Sequence, residues 1–184
     1  MKIKDVIECL KDEGTWVRWN RCTRDRVLFG DDEQEVKKIG VCWVATNKVI
    51  EQALEKGINF IVSHENIFYT TGTHLETKLV ESIEHKKDLL SKGNICVYRC
   101  HDVWDSIPGY GVSDVWAKKL GFEFKDRVIN SYYQHANIPT QTVSELATHV
   151  ANVLKDDGEE GVYVFGDINK EVSHLAIGTG AGTD

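Results

Sequence analysis

The sequence predicts an α/β protein: a layered fold with a mixed, largely parallel sheet flanked by helices. Three observations carry this reading. Short apolar runs at 39–45, 58–62 and 95–98 alternate with segments whose apolar residues recur at helical spacing. Strand, helix and strand follow one another between 39 and 62, the pattern of a right-handed βαβ crossover. Polar, metal-competent residues stand immediately after two of the runs, where ligands collect in open parallel sheets.

Taken in order, Ile3, Val6, Ile7 and Leu10 mark one face of a helix over 3–12, with Gly14 placed to end it. Residues 15–34 are polar and irregular, with Trp16, Trp19 and Phe29 as anchors. The run Ile39 to Ala45 reads as a strand covered on both faces. Asn47 is placed to cap a helix carrying Val49, Ile50, Ala53 and Leu54, which Gly57 closes. Ile58 to Val62 is the next strand. Leu75, Leu79, Val80 and Ile83 mark a helix closed by Gly93, and Ile95 to Tyr98 is a third strand. Val112, Val115, Trp116 and Leu120 predict a short helix ending at Gly121. Residues 122–134 look extended. Thr142 and Glu145 have capping-box spacing ahead of a helix face of Val143, Leu146, Ala147, Val150 and Leu154. Gly161 to Phe165 and Val172 to Ile177 read as strands. The whole chain, 1–184, reads as one α/β domain, with room for a second lobe from about 125 near Pro139.

Composition excludes several classes. The 184 residues carry a formal charge of −7, with 41% hydrophobic and 28% charged residues. No run reaches the roughly eighteen apolar residues a membrane span needs. Met1 to Asp5 lacks the apolar region of a secretory signal behind it. The acidic balance, without a Lys/Arg cluster, argues against nucleic-acid binding. Five cysteines make an odd set, read as reduced thiols in a cytoplasm, with Cys9, Cys42 and Cys96 in apolar stretches as core residues.

The chemistry concentrates at strand exits. One strand runs into Ser63-His64-Glu65-Asn66 and another into Arg99-Cys100-His101-Asp102-Val103-Trp104-Asp105. If these strands are neighbours, His64, Glu65, His101 and Asp105 converge. Nitrogen and oxygen donors together suit a divalent ion such as zinc, manganese or iron, and a carboxylate can bridge two ions. Ordinary loop ends with satisfied polar groups give the same letters. Gly178 to Gly182 follows a strand without the Lys-Ser/Thr of a phosphate-binding loop and reads as a flexible turn. Cys96 with Cys100 is no CxxC pair, so Cys96 reads as core. His74 and His85 read as surface residues, and His135 and His149 carry no pattern. Trp104, Phe68 and Tyr69 read equally as packing or as faces for a flat ligand.

Two blocks carry a resemblance. Ala53 to Phe68, an alanine- and glycine-bearing helix end, an apolar strand and then His64-Glu65-Asn66, resembles the metal-site segment of the Ngg1-interacting-factor-three-like family. Its members are often labelled GTP cyclohydrolase 1 type 2 homologues, and the branch with His-Glu in place of His-His is the more similar. His101 to Asp105, followed by Pro108-Gly109-Tyr110-Gly111 and Leu120-Gly121, is similar to the family's His-Thr-x-x-Asp segment. The resemblance implies His64, Glu65 and Asp105 as ligands, Asp105 as the bridge between two ions, and His101 beside the site. It also implies a metal-dependent hydrolase acting on a nucleotide-like or phosphate-bearing small molecule, in a homo-oligomer, a toroidal hexamer. Asn66 departs from the family's proline. The family completes its site with a histidine and a glutamate beyond the Gly-rich stretch, where this chain stops at Asp184. The expectation is therefore a fragment or an incomplete site, and Glu171 and His174, before that stretch, do not substitute. A non-catalytic metal-binding scaffold or protein-interaction module is the alternative.

Overall fold

Four strands build the sheet that carries the candidate residues: β1 (Arg26–Phe29), β2 (Ile39–Cys42), β3 (Phe60–Ser63) and β4 (Cys96–Arg99), in the order β1-β4-β3-β2. β2, β3 and β4 are parallel, and β1 runs antiparallel beside β4, so the sheet is mixed and largely parallel as predicted. The computed structural model describes residues 1–21, 23–68, 77–125 and 133–180. They fall in two compact units, Met1–Ile107 and Pro108–Asp184. The division thus lies at 107/108, where the sequence places a second lobe from about 125.

In the first unit, α1 (Ile3–Asp12) begins with the Asp5 carboxylate accepting the Lys2 N–H at 2.8 Å. Its Ile3 and Ile7 bury against Phe60, Cys96, Tyr98 and Val103 on one face of the sheet. On the opposite face, α2 (Asn47–Glu55) and α3 (Thr77–Lys92) set Ile50, Ala53 and Leu90 against Ile61, Ile95 and Val97. Central β4 is therefore buried at every position. β1 escapes the sequence reading, because Arg26 to Phe29 is only four residues long within a polar stretch. It reaches β4 through Gly30, whose φ of 86° and close approach to Ile95 O (2.7 Å from an added Cβ) leave no room for a side chain.

Three local expectations are corrected. The run 39–45 is a strand only over 39–42 and is not covered on both faces. β2 is the sheet edge, pairing with β3 alone, and Val41 is 81% exposed. The α2 cap is Thr46, not Asn47: Thr46 Oγ1 accepts the Val49 N–H at 3.3 Å. Cys9 is exposed and Cys42 half-buried, whereas Cys96 and Cys100 are buried; Cys22 lies outside the described residues.

The second unit contains α5 (Val112–Leu120), β5 (Tyr133–Thr142), α6 (Val143–Leu154) and β6 (Glu171–Gly178). β5 and β6 pair antiparallel, and Ala117, Leu120 and Ile177 form its core. This packing of α5 with β6 puts α5 in the second unit and moves the boundary toward Pro108. α5 ends at Gly121 (φ 74°), and α6 opens with the predicted capping box between Thr142 and Glu145. Gly161 to Phe165, predicted as a strand, is irregular, with Tyr163 and Phe165 exposed.

Candidate metal centre

Parallel pairing of β3 with β4 brings Ser63 opposite Arg99, so the residues that follow both strands emerge side by side. His64 leaves β3 with its N–H on Cys42 O at 3.2 Å and its side chain 9% exposed. His101 leaves β4 and precedes a short helix, α4 (Asp102–Ser106), which the sequence reads as loop. One turn on, the Asp105 N–H donates to His101 O at 2.8 Å, so the two side chains share a helical face.

Asp105 then meets both imidazoles. Its Oδ1 lies 2.9 Å from His64 Nε2 and its Oδ2 3.2 Å from His101 Nδ1. The His64 ring is stacked between Trp43, at 3.9 Å between centroids, and His101, at 4.4 Å. Donor atoms of His64, His101 and Asp105 all lie within 4.8 Å of one another, the one such group of three among the described residues that could hold a metal ion. Two imidazoles and a carboxylate fit a divalent transition ion. His64 Nδ1 adds a second indication: it is buried and has no hydrogen-bond partner.

Glu65, implied as a ligand by resemblance, stands to one side. Its Oε2 accepts from Arg99 Nη2 at 2.8 Å, and Arg99 Nε donates to His64 O at 3.1 Å. Its Oε1 faces His64 Nδ1 at 3.8 Å and His101 Nε2 at 3.9 Å. Arg99, 9% exposed, passes unnoticed in the sequence; its signal is a lone guanidinium at the end of an otherwise apolar strand.

Two further carboxylates hold this rim. Buried Asp25 accepts three backbone N–H groups, from His101 (2.6 Å), Asp102 (2.7 Å) and Val103 (2.9 Å). Burial pushes its carboxyl above the ordinary range, and those three bonds offset part of the rise. Asp102 accepts in return from Thr23 Oγ1 (3.0 Å) and the Arg24 N–H (2.8 Å) and faces His101 Nδ1 at 3.2 Å. Segments 23–25 and 101–103 are thus clasped reciprocally. Neither Asp25 nor Asp102 carries a sequence pattern, since this pairing joins residues far apart in the chain.

The remaining candidates fall elsewhere. Burial pushes the Cys96 and Cys100 thiols up to about 12, and neither belongs to the metal-competent group among the described residues. His85 is exposed near Glu51, His135 is exposed, and His149 Nε2 bonds Leu120 O at 2.8 Å, closing α5. Phe68 packs tilted against Phe29 at 6.3 Å, and Trp104 is exposed beside Asp105. Gly178 ends β6; His74, Tyr69, Ala181 and Gly182 lie outside the described residues. A cleft of about 580 Å³ beside α1, lined by Trp19, Asp25 and Tyr98 among others, does not include the triad.

The model of the Duf34/NIF3 (NGG1p interacting factor 3) family matches residues 1–184. The chain belongs to the Duf34/NIF3 family. It is 26% identical over 195 residues to a protein of Clostridium perfringens named GTP cyclohydrolase 1 type 2 homolog, covering 100% of this chain and 71% of that protein. A Staphylococcus aureus protein of the same name is 25% identical over 167 residues, covering 90% of this chain and 44% of that one. Among solved structures, a Bacillus cereus protein related to NIF3 aligns at a TM-score of 0.71 and 13% identity, over 98% of this chain and 77% of that one. The Staphylococcus aureus hypothetical protein SA1388 aligns at a TM-score of 0.68 and 21% identity, over 98% and 72%. These structures share the Duf34/NIF3 fold. Among the described residues no helix is long and apolar enough to cross a membrane.

Proposed function

We propose that this chain holds a divalent ion, zinc, manganese or iron, on His64, His101 and Asp105, and serves as a metal-dependent hydrolase. The observation that carries the reading is the convergence of those three donors within 4.8 Å. A bound divalent ion supplies Lewis acidity, polarising a bond under attack and acidifying water. The protein's own groups do the rest. Asp105, the most exposed of the three side chains at 36%, is where the site opens to solvent and admits a reactant. Trp43 and His101 fix the plane of the His64 ring from both sides. The clasp at Asp25 holds the loop that carries His101 and Asp105.

A nucleotide-like or phosphate-bearing small molecule is the proposed substrate class. The name that the curated relatives bear supports it, and so does the exposed Trp104 ring beside Asp105, a face for a flat base. A homo-oligomer, a hexamer in the family manner, and a cytoplasmic setting belong to the same proposal and rest on the resemblance and on the reduced-thiol reading of the cysteines.

Metal content by mass spectrometry tests the site. Wild type retains bound metal after desalting, and His64→Ala and Asp105→Ala lose it; equal content in all three refutes the site. Turnover of nucleotides with excess zinc, manganese or iron, abolished in His64→Ala, supports the hydrolase over a scaffold. The native mass of the assembly reads its oligomeric state.

A further inference from the structure

We propose that the cleft between α1 and β1 is a second binding site, separate from the metal centre. It takes a small uncharged molecule with an apolar body and one hydrogen-bond acceptor, which meets the Tyr98 hydroxyl. This does not rest on the metal reading.

The cleft, about 580 Å³, falls within the range of small-molecule pockets, roughly 300–1,000 Å³. Every residue that lines it lies in the first unit. Ile7 contributes from α1, Val27 from β1 and Tyr98 from β4, with Trp19 from the connection after α1. The register sets Val27 directly opposite Tyr98, and both pack with Ile7 and Trp19 in the cluster on this face of the sheet.

Tyr98 supplies the chemistry. It is 1% exposed, and its hydroxyl is buried without a hydrogen-bond partner. Folded proteins rarely leave such a group unmet. Burial raises its pKa above the ordinary range, and the charges of Asp25, Cys100 and Glu8 add to the rise. Asp25 and Glu8 both line the cleft, so the hydroxyl end of the ring is the end beside it. The phenol keeps its proton, and the partner it lacks is an acceptor. Acceptors of the protein nearby are already taken. The Asp25 carboxylate holds three backbone N–H groups, and the Glu8 carboxylate is held by Lys11 Nζ at 2.7 Å.

Charge decides what kind of acceptor enters. Four carboxylates line the cleft against three cations. Two of those cations are engaged, Lys4 with Glu33 at 2.6 Å and Lys11 with Glu8 at 2.7 Å. A carboxylate or phosphate would therefore enter a negative field beside Asp25. A strongly hydrated cation would lose its water against Ile7, Val27 and Trp19. An uncharged carbonyl on an apolar ring suits both the walls and the hydroxyl.

Titration with benzamide, followed by NMR on the Trp19 indole N–H, tests this. The signal is identified by its loss in Trp19→Phe. Wild type is expected to shift saturably in the millimolar range. Benzoate has the same shape with a negative charge and is expected to bind about tenfold more weakly or worse. Tyr98→Phe removes only the hydroxyl and is expected to bind benzamide about tenfold more weakly. This variant loses no bond within the protein, so its urea midpoint stays at or above that of wild type. A Trp19 signal that benzamide leaves unmoved, or moves equally in Tyr98→Phe, overturns the site; the hydroxyl is then served by water alone. Benzoate binding as tightly as benzamide overturns the uncharged class. A lowered midpoint in Tyr98→Phe means that the hydroxyl already has a partner in the protein, and overturns the proposal as well.

Discussion

Asp25 shows how much of the centre hangs on a residue that touches no candidate ligand side chain. Its carboxylate satisfies three successive N–H groups at the head of α4, including that of His101. An amide in its place has one acceptor oxygen, and its nitrogen cannot accept. Asp25→Asn is therefore expected to leave at least one buried N–H unpaired and to destabilise the protein by about 1–3 kcal/mol. Urea unfolding reads this as a lower midpoint at unchanged slope, and zinc titration reads the weaker site that follows from a looser loop. A wild-type midpoint and wild-type zinc affinity would contradict the role assigned to Asp25. His64 and Asp105 are legible from their positions after apolar runs. Arg99 and Asp25 are not, because what matters in them is a partner 34 and 78 residues away.

Among the elements, α1 and β2 make contrasting predictions. Glu33 lies between Lys2 and Lys4, bonding their ammonium groups at 2.8 and 2.6 Å, and this holds its carboxyl down at about 2 from an ordinary 4.5. A depressed acid adds stability above its unfolded value, and that stability is lost as pH falls from 4.5 to 2. Glu33→Gln is expected to flatten acid unfolding in that window at low salt, and added salt to shrink the difference, since all three groups are exposed. The sheet offers a sharper contrast. Ile61 on β3 is 1% exposed, whereas Val41 on β2 is 81% exposed. Ile61→Ala should cost about 2–5 kcal/mol and Val41→Thr less than about 0.5. Equal effects in denaturant titrations would mean that β2 is covered in solution. The apolar run 39–45 could not reveal this, because a strand's letters are the same whether or not a layer covers it.

At the scale of the whole molecule, the proposed ion would link metal binding to folding. An ion that binds only the folded chain adds about 2.7 kcal/mol at a hundredfold excess over its dissociation constant. Thermal melts with zinc should run above those with a chelator, and Asp105→Ala should erase the gap; a gap that persists in Asp105→Ala would place the stabilising ion elsewhere. The alternation of apolar runs with helical periodicity was enough to determine an α/β layered fold, and the two blocks around His64 and His101 were enough to point, by resemblance, to the family and to His64, Glu65, His101 and Asp105 as candidate donors. The apolar patterning is a local property set by spacing along the chain, whereas the family rests on the likeness of those two blocks. Tertiary structure alone decided that β2 is an edge, that β1 joins the sheet, that the division falls at 107/108, and that Glu65 faces Arg99 rather than Asp105. Each of these depends on which segments lie side by side. Strand order and ion pairing are properties of the assembled sheet, because a carboxylate's role follows from the charge beside it, and that neighbour comes from a different strand.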